Sequence, residues 1–211
     1  MKITTFGHSC LLIEEEELKI LIDPGNFSSL PDTLDDLAVI LITHEHQDHL
    51  DIELLRAILA KNKNAKIYTN PGVSLVLEQE EIPHMTISDG KSIMPKNVLI
   101  EAIGKEHATI YPTITAINNV GFRIAEKFFY PGDAFTLPEK EIDVLALPVA
   151  GPWLKLLESI NYAKAIHPRV CFPVHDGTLK FPGTVHQIPP LILEPLGIQW
   201  VVLEPGQEME V

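Results

Sequence analysis

Run length and alternation divide the chain into short strands and a few amphipathic helices. At the N-terminus, KITTFG, SCLLIE and LKILID are strand-length apolar stretches broken by small turns, one of them the acidic run at residues 14–17. Pro24-Gly25 ends the third stretch, and a loop rich in Ser, Pro and Asp runs on to Leu34. Residues 37–43 (LAVILIT) are continuously apolar, as expected for a strand covered on both faces. Residues 51–61 (DIELLRAILAK) have helical spacing, with Ile52, Leu55, Ile58 and Leu59 on one face and Asp51 as N-cap. Residues 66–69 form a further strand, and Asn70-Pro71 opens a second helix with Asn as cap and Pro in the first turn.

Short strands are expected near residues 85–87, 92–94 and 98–102, followed by a less regular stretch at 104–119 that carries His107. Residues 120–126 and 127–130 read as a hairpin that stops at Pro131-Gly132-Asp133. A second strand of the buried type spans 142–147. A helix is predicted over 152–165, with Leu154, Leu157, Ile160 and Ala165 as its apolar stripe. A strand at 170–174 delivers His175, a short helix is predicted over 189–196, and a last strand over 199–203. Strands followed by strand–helix–strand units predict a layered α/β architecture, two sheets between helices, in one domain spanning 1–211.

Composition adds exclusions. The hydrophobic fraction of 45% and charged fraction of 21% are those of a soluble globular chain. A formal net charge of −13 with no Lys/Arg run argues against nucleic acid or an anionic membrane as partner, because phosphates are bound by cations. MKITTFGHS lacks the apolar stretch of a signal peptide, so cytoplasmic residence is expected. Cys10 and Cys171 each lie in an apolar segment and read as buried free thiols.

The chemistry is concentrated directly after LAVILIT. HEHQDH places three imidazoles and a carboxylate within six residues, on a strand-to-helix loop held by rigid flanks. Imidazole nitrogen and carboxylate oxygen are the usual ligands of zinc and neighbouring divalent metals. On an extended segment His44 and His46 point the same way, while Asp48 and His49 lie just past them where the chain turns. Two ligand pairs on one loop can serve two adjacent ions. The bland alternative, a chance cluster on a solvated loop, does not account for further His and Asp residues at other strand ends.

These residues carry a resemblance to the metallo-β-lactamase superfamily over nearly the whole chain. Asp23 in LKILIDPG looks like the first motif, HEHQDH the second, His107 in KEHATI the third, Asp133 in FYPGDAF the fourth and His175 in CFPVHDG the fifth. FGHSCLLIE, LALPVAGPW and FPVH give a finer likeness to a compact branch that includes L-ascorbate-6-phosphate lactonase-like proteins. The resemblance implies a four-layered αββα sandwich with the metals at one edge of the sheets. It implies one metal on His44, His46 and His107, a second on Asp48, His49 and His175, Asp133 bridging them, and Asp23 supporting the metal loop from behind. Two departures narrow it. The metal-binding cysteine of true β-lactamases is absent, which argues against antibiotic hydrolysis. Asp133 and His175 stand only about 40 residues apart, too close for the domain inserted there in RNA-processing relatives.

The expected activity is hydrolysis of an ester, lactone or amide bond of a small molecule by a hydroxide held between two divalent ions, with Asp48 also the catalytic residue that orients the water. Zinc leads the candidates, and manganese, iron or nickel suit the same donors. A phosphodiesterase and a non-catalytic metal-binding protein are the alternatives. Tyr111, Trp153 and Lys180 are candidate substrate contacts, each weighed against plain packing or solvation. His8, beside an apolar strand, reads as a structural histidine; His84 and His186 read as solvent-facing loop residues, with His186 near enough to His175 to touch substrate, and His167 as structural.

Overall fold

A computed structural model describes residues 1–211. One sheet contains β1 (Lys2–Thr5), β2 (Leu11–Glu15), β3 (Leu18–Ile22), β4 (Val39–Ile42), β5 (Lys66–Thr69) and β6 (Met85–Thr86). The other contains β7 (Ser92–Ile93), β8 (Ile100–Ile103), β9 (Gly121–Ile124), β10 (Phe128–Tyr130), β11 (Val144–Pro148), β12 (Val170–Val174) and β13 (Gln199–Trp200). The last strand, β14 (Glu208–Glu210), returns to pair antiparallel with β1. The strand orders are β14-β1-β2-β3-β4-β5-β6 and β13-β12-β11-β10-β9-β8-β7. In each sheet an antiparallel meander gives way to parallel strands, from β3 onward in the first and from β10 onward in the second.

The central strands are buried at every position because alternate residues face two different apolar layers. In β4, Val39 and Leu41 enter the core shared by the two sheets, while Ile40 and Ile42 face an outer layer with Leu55, Ile58, Val73 and Leu77. In β11, Val144 and Ala146 face the shared core, and Leu145 and Leu147 pack with Ile160, Ala163 and Leu193. These three apolar clusters are the interfaces of an αββα sandwich. Cys10 and Cys171 are buried free thiols in the two different outer clusters, which is why they do not pair.

Four helices supply the outer layers: α1 (Ile52–Lys61), α2 (Pro71–Gln79), α3 (Leu156–Ile166) and α4 (Gly183–Leu193). Asp51 caps α1 by accepting from Leu54 N–H at 3.0 Å, and Asn70 caps α2 by accepting from Val73 N–H at 3.0 Å. Asn70 also donates to the Thr43 carbonyl at 2.6 Å, which ties the start of α2 to the end of β4.

Two helices differ from expectation. α3 begins at Leu156, because residues 152–155 turn rather than coil. The apolar stripe is therefore differently phased: Leu157 is 66% exposed and Ala165 is exposed, whereas Ser159, Ile160, Tyr162 and Ala163 are buried. α4 starts at Gly183, placing Pro189 and Pro190 inside the helix and not at its first turn. A proline at 190 cannot donate to the carbonyl four residues earlier. That carbonyl, of His186, accepts instead from the Trp200 indole N–H at 3.0 Å, so a tertiary bond replaces the missing helical one. The final predicted strand is shorter than expected, Gln199–Trp200, and β14 was not expected at all.

Every predicted metal-ligating residue, and Asp23 behind them, follows the C-terminal end of a strand. Asp23 follows β3, the HEHQDH loop β4, His107 β8, Asp133 β10 and His175 β12. No helix is long and apolar enough to cross a membrane.

Candidate metal centre

The loop after β4 is held from behind by one carboxylate. Asp23 is fully buried and accepts from the Thr43 N–H at 2.8 Å, the Thr43 hydroxyl at 2.6 Å, the Tyr130 hydroxyl at 2.8 Å and His49 Nδ1 at 2.7 Å. Tyr130 stays protonated because burial, then the Asp23 charge, raises its pKa well above the ordinary phenol value. The segment after Asp23 presses directly on the loop. A Cβ at Gly25 would lie 2.0 Å from the Asp48 carbonyl oxygen, so only glycine fits there.

Those contacts fix which nitrogen of each ring faces inward. His49 gives Nδ1–H to Asp23, and His107 gives Nδ1–H to the Ala108 carbonyl at 2.6 Å. The Thr43 hydroxyl has its hydrogen on Asp23, so it accepts from His44 Nδ1 at 3.0 Å. In all three rings Nδ1 is thereby occupied, and Nε2 is the nitrogen aimed at the centre. His44 Nε2 lies 3.1 Å from His46 Nδ1, two nitrogens converging on one point.

Asp133 lies between the halves of the site. Its Oδ1 is 3.3 Å from His49 Nε2, and its Oδ2 is 3.0 Å from His175 Nε2, 3.3 Å from His107 Nε2 and 3.9 Å from His44 Nε2. The carboxylate is aimed by its surroundings. Asn119 Oδ1 accepts from the Asp133 N–H at 3.0 Å, and the Trp153 indole donates to Oδ2 at 2.8 Å. The donors fall into two groups, His44/His46/His107/Asp133 and His8/Asp48/His49/His175, with donor atoms within 4.8 Å of one another in each.

The protonation of the metal-free cluster follows from its crowding. Burial alone would lower His49 and His175, but the Asp133 and Asp23 charges raise His49 to about 10. The neighbouring Asp133 and Asp48 carboxylates, with oxygens 3.0 and 3.3 Å from Nε2, overcome the same burial at His175 and raise it to about 9. Burial works against the Asp48 and Asp133 carboxylates as well, yet the surrounding imidazoles hold both well below the usual carboxylate range. His44 and His46, with burial dominant, are lowered.

All seven residues expected to bind metal, and Asp23 behind them, converge. Trp153, a candidate substrate contact, is instead buried at 8% exposure and bonded to Asp133 through its only donor. Tyr111 is 60% exposed on the loop after His107, and Lys180 is exposed and lies over the Phe181 ring. Neither is hydrogen-bonded to the cluster. His186 lies in α4 and pairs with Asp176 at 2.5 Å, His84 is partly buried against the Ile82 carbonyl, and His167 is the exposed C-cap of α3. Sequence reading missed Thr43, Asn119 and Tyr130, which touch the site only through folding. His8, read from the sequence as structural, lies beside the cluster with its Nε2 3.0 Å from Asp48 Oδ2.

A carboxylate-bridged pair of imidazole clusters at the strand ends of an αββα sandwich defines the class of protein. Comparison supplies the family. Residues 2–175 match the beta-lactamase superfamily domain. The chain is 36% identical over 181 residues to protein Rv0786c of Mycobacterium tuberculosis, covering 83% of this chain and 84% of that protein. It is 30% identical over 200 residues to a UPF0173 metal-dependent hydrolase of Alkaliphilus metalliredigens, covering 84% of this chain and 86% of the relative. Igni18, a metallo hydrolase of the archaeon Ignicoccus hospitalis, shares the fold with a TM-score of 0.77 at 22% identity, over 100% of this chain and 98% of its own. The chain belongs to the metallo-β-lactamase superfamily.

Proposed function

We propose that this metal-dependent hydrolase holds two divalent ions, zinc foremost, and cleaves an ester, lactone or amide bond of a small molecule. One ion would be held by His44, His46 and His107, the other by Asp48, His49 and His175, with Asp133 shared. The observation that carries the reading is a set of orphaned buried atoms. His49 Nε2, His107 Nε2, His175 Nε2 and Asp133 Oδ1 are buried without a hydrogen-bond partner, although buried polar atoms almost always have one. They face one another, and cations satisfy them.

Two such ions would supply an activated water at neutral pH and Lewis-acid stabilisation of the oxygen that gains charge. The residues of this chain supply the rest. Asp23, Tyr130 and Thr43 lock the imidazoles in the ligating tautomer. Trp153 and Asn119 aim Asp133. Asp48, 23% exposed at its side chain, is the carboxylate of the cluster open to solvent and is placed to orient the water and take its proton.

A cavity of about 60 Å³ beside His46 and His107 is lined by Ala108, Ile110, Ile114, Ala116 and Ile117 with two threonines, and by no Lys or Arg. That lining suits an uncharged portion of a small substrate, and the charge of a phosphodiester would have to be met at the ions themselves.

The test is a panel of small esters, lactones, amides and phosphodiesters assayed with zinc and with manganese. Turnover of an uncharged acyl substrate that disappears together with bound metal in His46→Ala supports the reading. Activity in that variant without metal refutes it, and turnover confined to phosphodiesters replaces it with the phosphodiesterase.

A further inference from the structure

His8 stands close enough to the second cluster to pass for a ligand. Its Nε2 lies 3.0 Å from Asp48 Oδ2, and its ring centroid is 4.2 Å from that of His175. The other side of the ring decides against ligation. The backbone N–H of Gly177 points at His8 Nδ1 at 3.1 Å. An N–H can be received only by a lone pair, so Nδ1 is bare and the single ring proton sits on Nε2. A ring that ligated through Nε2 with Nδ1 bare would have to be an imidazolate. Metal-ligating histidines show the opposite arrangement, giving the second N–H to an acceptor. His44, His49 and His107 have it, and His8 has the inverse.

The chain also goes out of its way to hold this ring. His8 adopts φ +51°, in the left-handed region, on a turn closed by Cys10 N–H to the Gly7 carbonyl at 3.0 Å. Its carbonyl accepts from the His175 N–H at 2.8 Å. A Cβ at Gly177 would come within 2.9 Å of His8 Cβ, so the loop after β12 is closed down on it. His8 thus ties the loop carrying Asp48, on one sheet, to the loop carrying His175, on the other.

We infer that His8 is a positioning residue and not a ligand: its Nε2–H donates to Asp48 Oδ2 and fixes the plane in which that carboxylate faces metal and water. The inference rests on the two-metal reading above. With one oxygen of Asp48 pinned, the carboxylate cannot rotate away when the proton of the attacking water arrives.

The test begins with zinc-loaded, 15N-labelled wild-type protein. Long-range 1H–15N correlation of the His8 ring is expected to show a protonated Nε2 and a bare Nδ1. A protonated Nδ1 opposite a zinc-bound Nε2 overturns the inference. His8→Ala is expected to keep the wild-type zinc stoichiometry but to lose about 10–100-fold in affinity for the zinc on the Asp48 side of the site. Its kcat should fall by a similar factor, with KM little changed, on the substrate selected by the panel above. His8→Gln, which retains an N–H donor, should recover most of both. Loss of a zinc equivalent in both variants, or a His8→Ala protein equal to wild type in zinc affinity and kcat, overturns it. Should His8→Ala fail to fold, the wild-type tautomer decides. A wild-type chain that takes up no zinc sinks the metal reading itself, and the tautomer read in that metal-free protein still decides the donor assignment.

Discussion

The indole N–H of Trp153 donates to Asp133 Oδ2 at 2.8 Å, so the carboxylate shared by both clusters is held in place from the end of β11. A hydrogen bond of this kind fixes the direction of a ligand without touching the ion, and its loss typically costs 10–100-fold in metal affinity or activity. Trp153→Phe keeps the ring and removes the N–H. It is expected to fold normally and lose about 10–100-fold in kcat, with weakened zinc binding by calorimetry. Unchanged kcat and zinc affinity would place Trp153 in packing alone.

Tyr130 and Asp23 form the corresponding support on the other side. Tyr130→Phe leaves the fully buried Asp23 carboxylate with one donor fewer. A hydrogen bond to a charged group is worth about 1.5–3 kcal/mol. Denaturant unfolding of the metal-free variant should show a loss of that order, because the penalty falls on Asp23 whether or not metal is bound.

Gly25 tests the fit between two loops. Gly25→Ala drives a Cβ to within 2.0 Å of the Asp48 carbonyl, which is backbone and cannot swing aside. The HEHQDH loop must move. The expected outcome is a lower melting temperature together with loss of zinc from the side of the site that contains Asp48 and His49, read by elemental analysis.

The metal-free protein should have a distinctive pH dependence. His49 and His175 are raised to about 10 and about 9 in the folded state, against an ordinary value of 6.5. Below pH 6.5 both folded and unfolded chains hold these protons, and the stabilisation is fully present. As pH rises above 6.5 the unfolded chain releases them while the folded chain keeps them, so stability falls progressively and the contribution is gone above pH 10. Denaturant midpoints of the chelator-treated protein between pH 6 and 10 measure this. The same protons must leave for the nitrogens to ligate. Zinc titration at pH 7.5 in buffers of different ionisation enthalpy should therefore report proton release, and none would contradict the assignment.

Much of the architecture was legible in the pattern. LAVILIT is apolar at both parities because β4 is covered by the other sheet on one face and helices on the other. The period of two places His44 and His46 on the same side of the loop from sequence alone. Convergence of His107, Asp133 and His175 on that loop was legible only through motif resemblance, since nothing local in KEHATI or FYPGDAF records a contact across two sheets. The phase of α3 was misread because Pro152-Trp153 looks like a helix start but makes a turn that carries the indole to Asp133. In α4 the Pro189-Pro190 pair signals a first turn, but both prolines lie inside the helix, and the Trp200 indole takes up one of the two carbonyls they leave unbonded. The supports of the site, Thr43, Asn119, Tyr130 and His8, are ordinary residues in sequence and acquire their roles from tertiary hydrogen bonds.

The most direct measurement of the central claim is the zinc content of the wild-type chain after equilibration with zinc and removal of free metal. Two equivalents per chain are expected, both lost on exhaustive chelation and restored on reloading. One equivalent, or none, would contradict a paired centre built on Asp133.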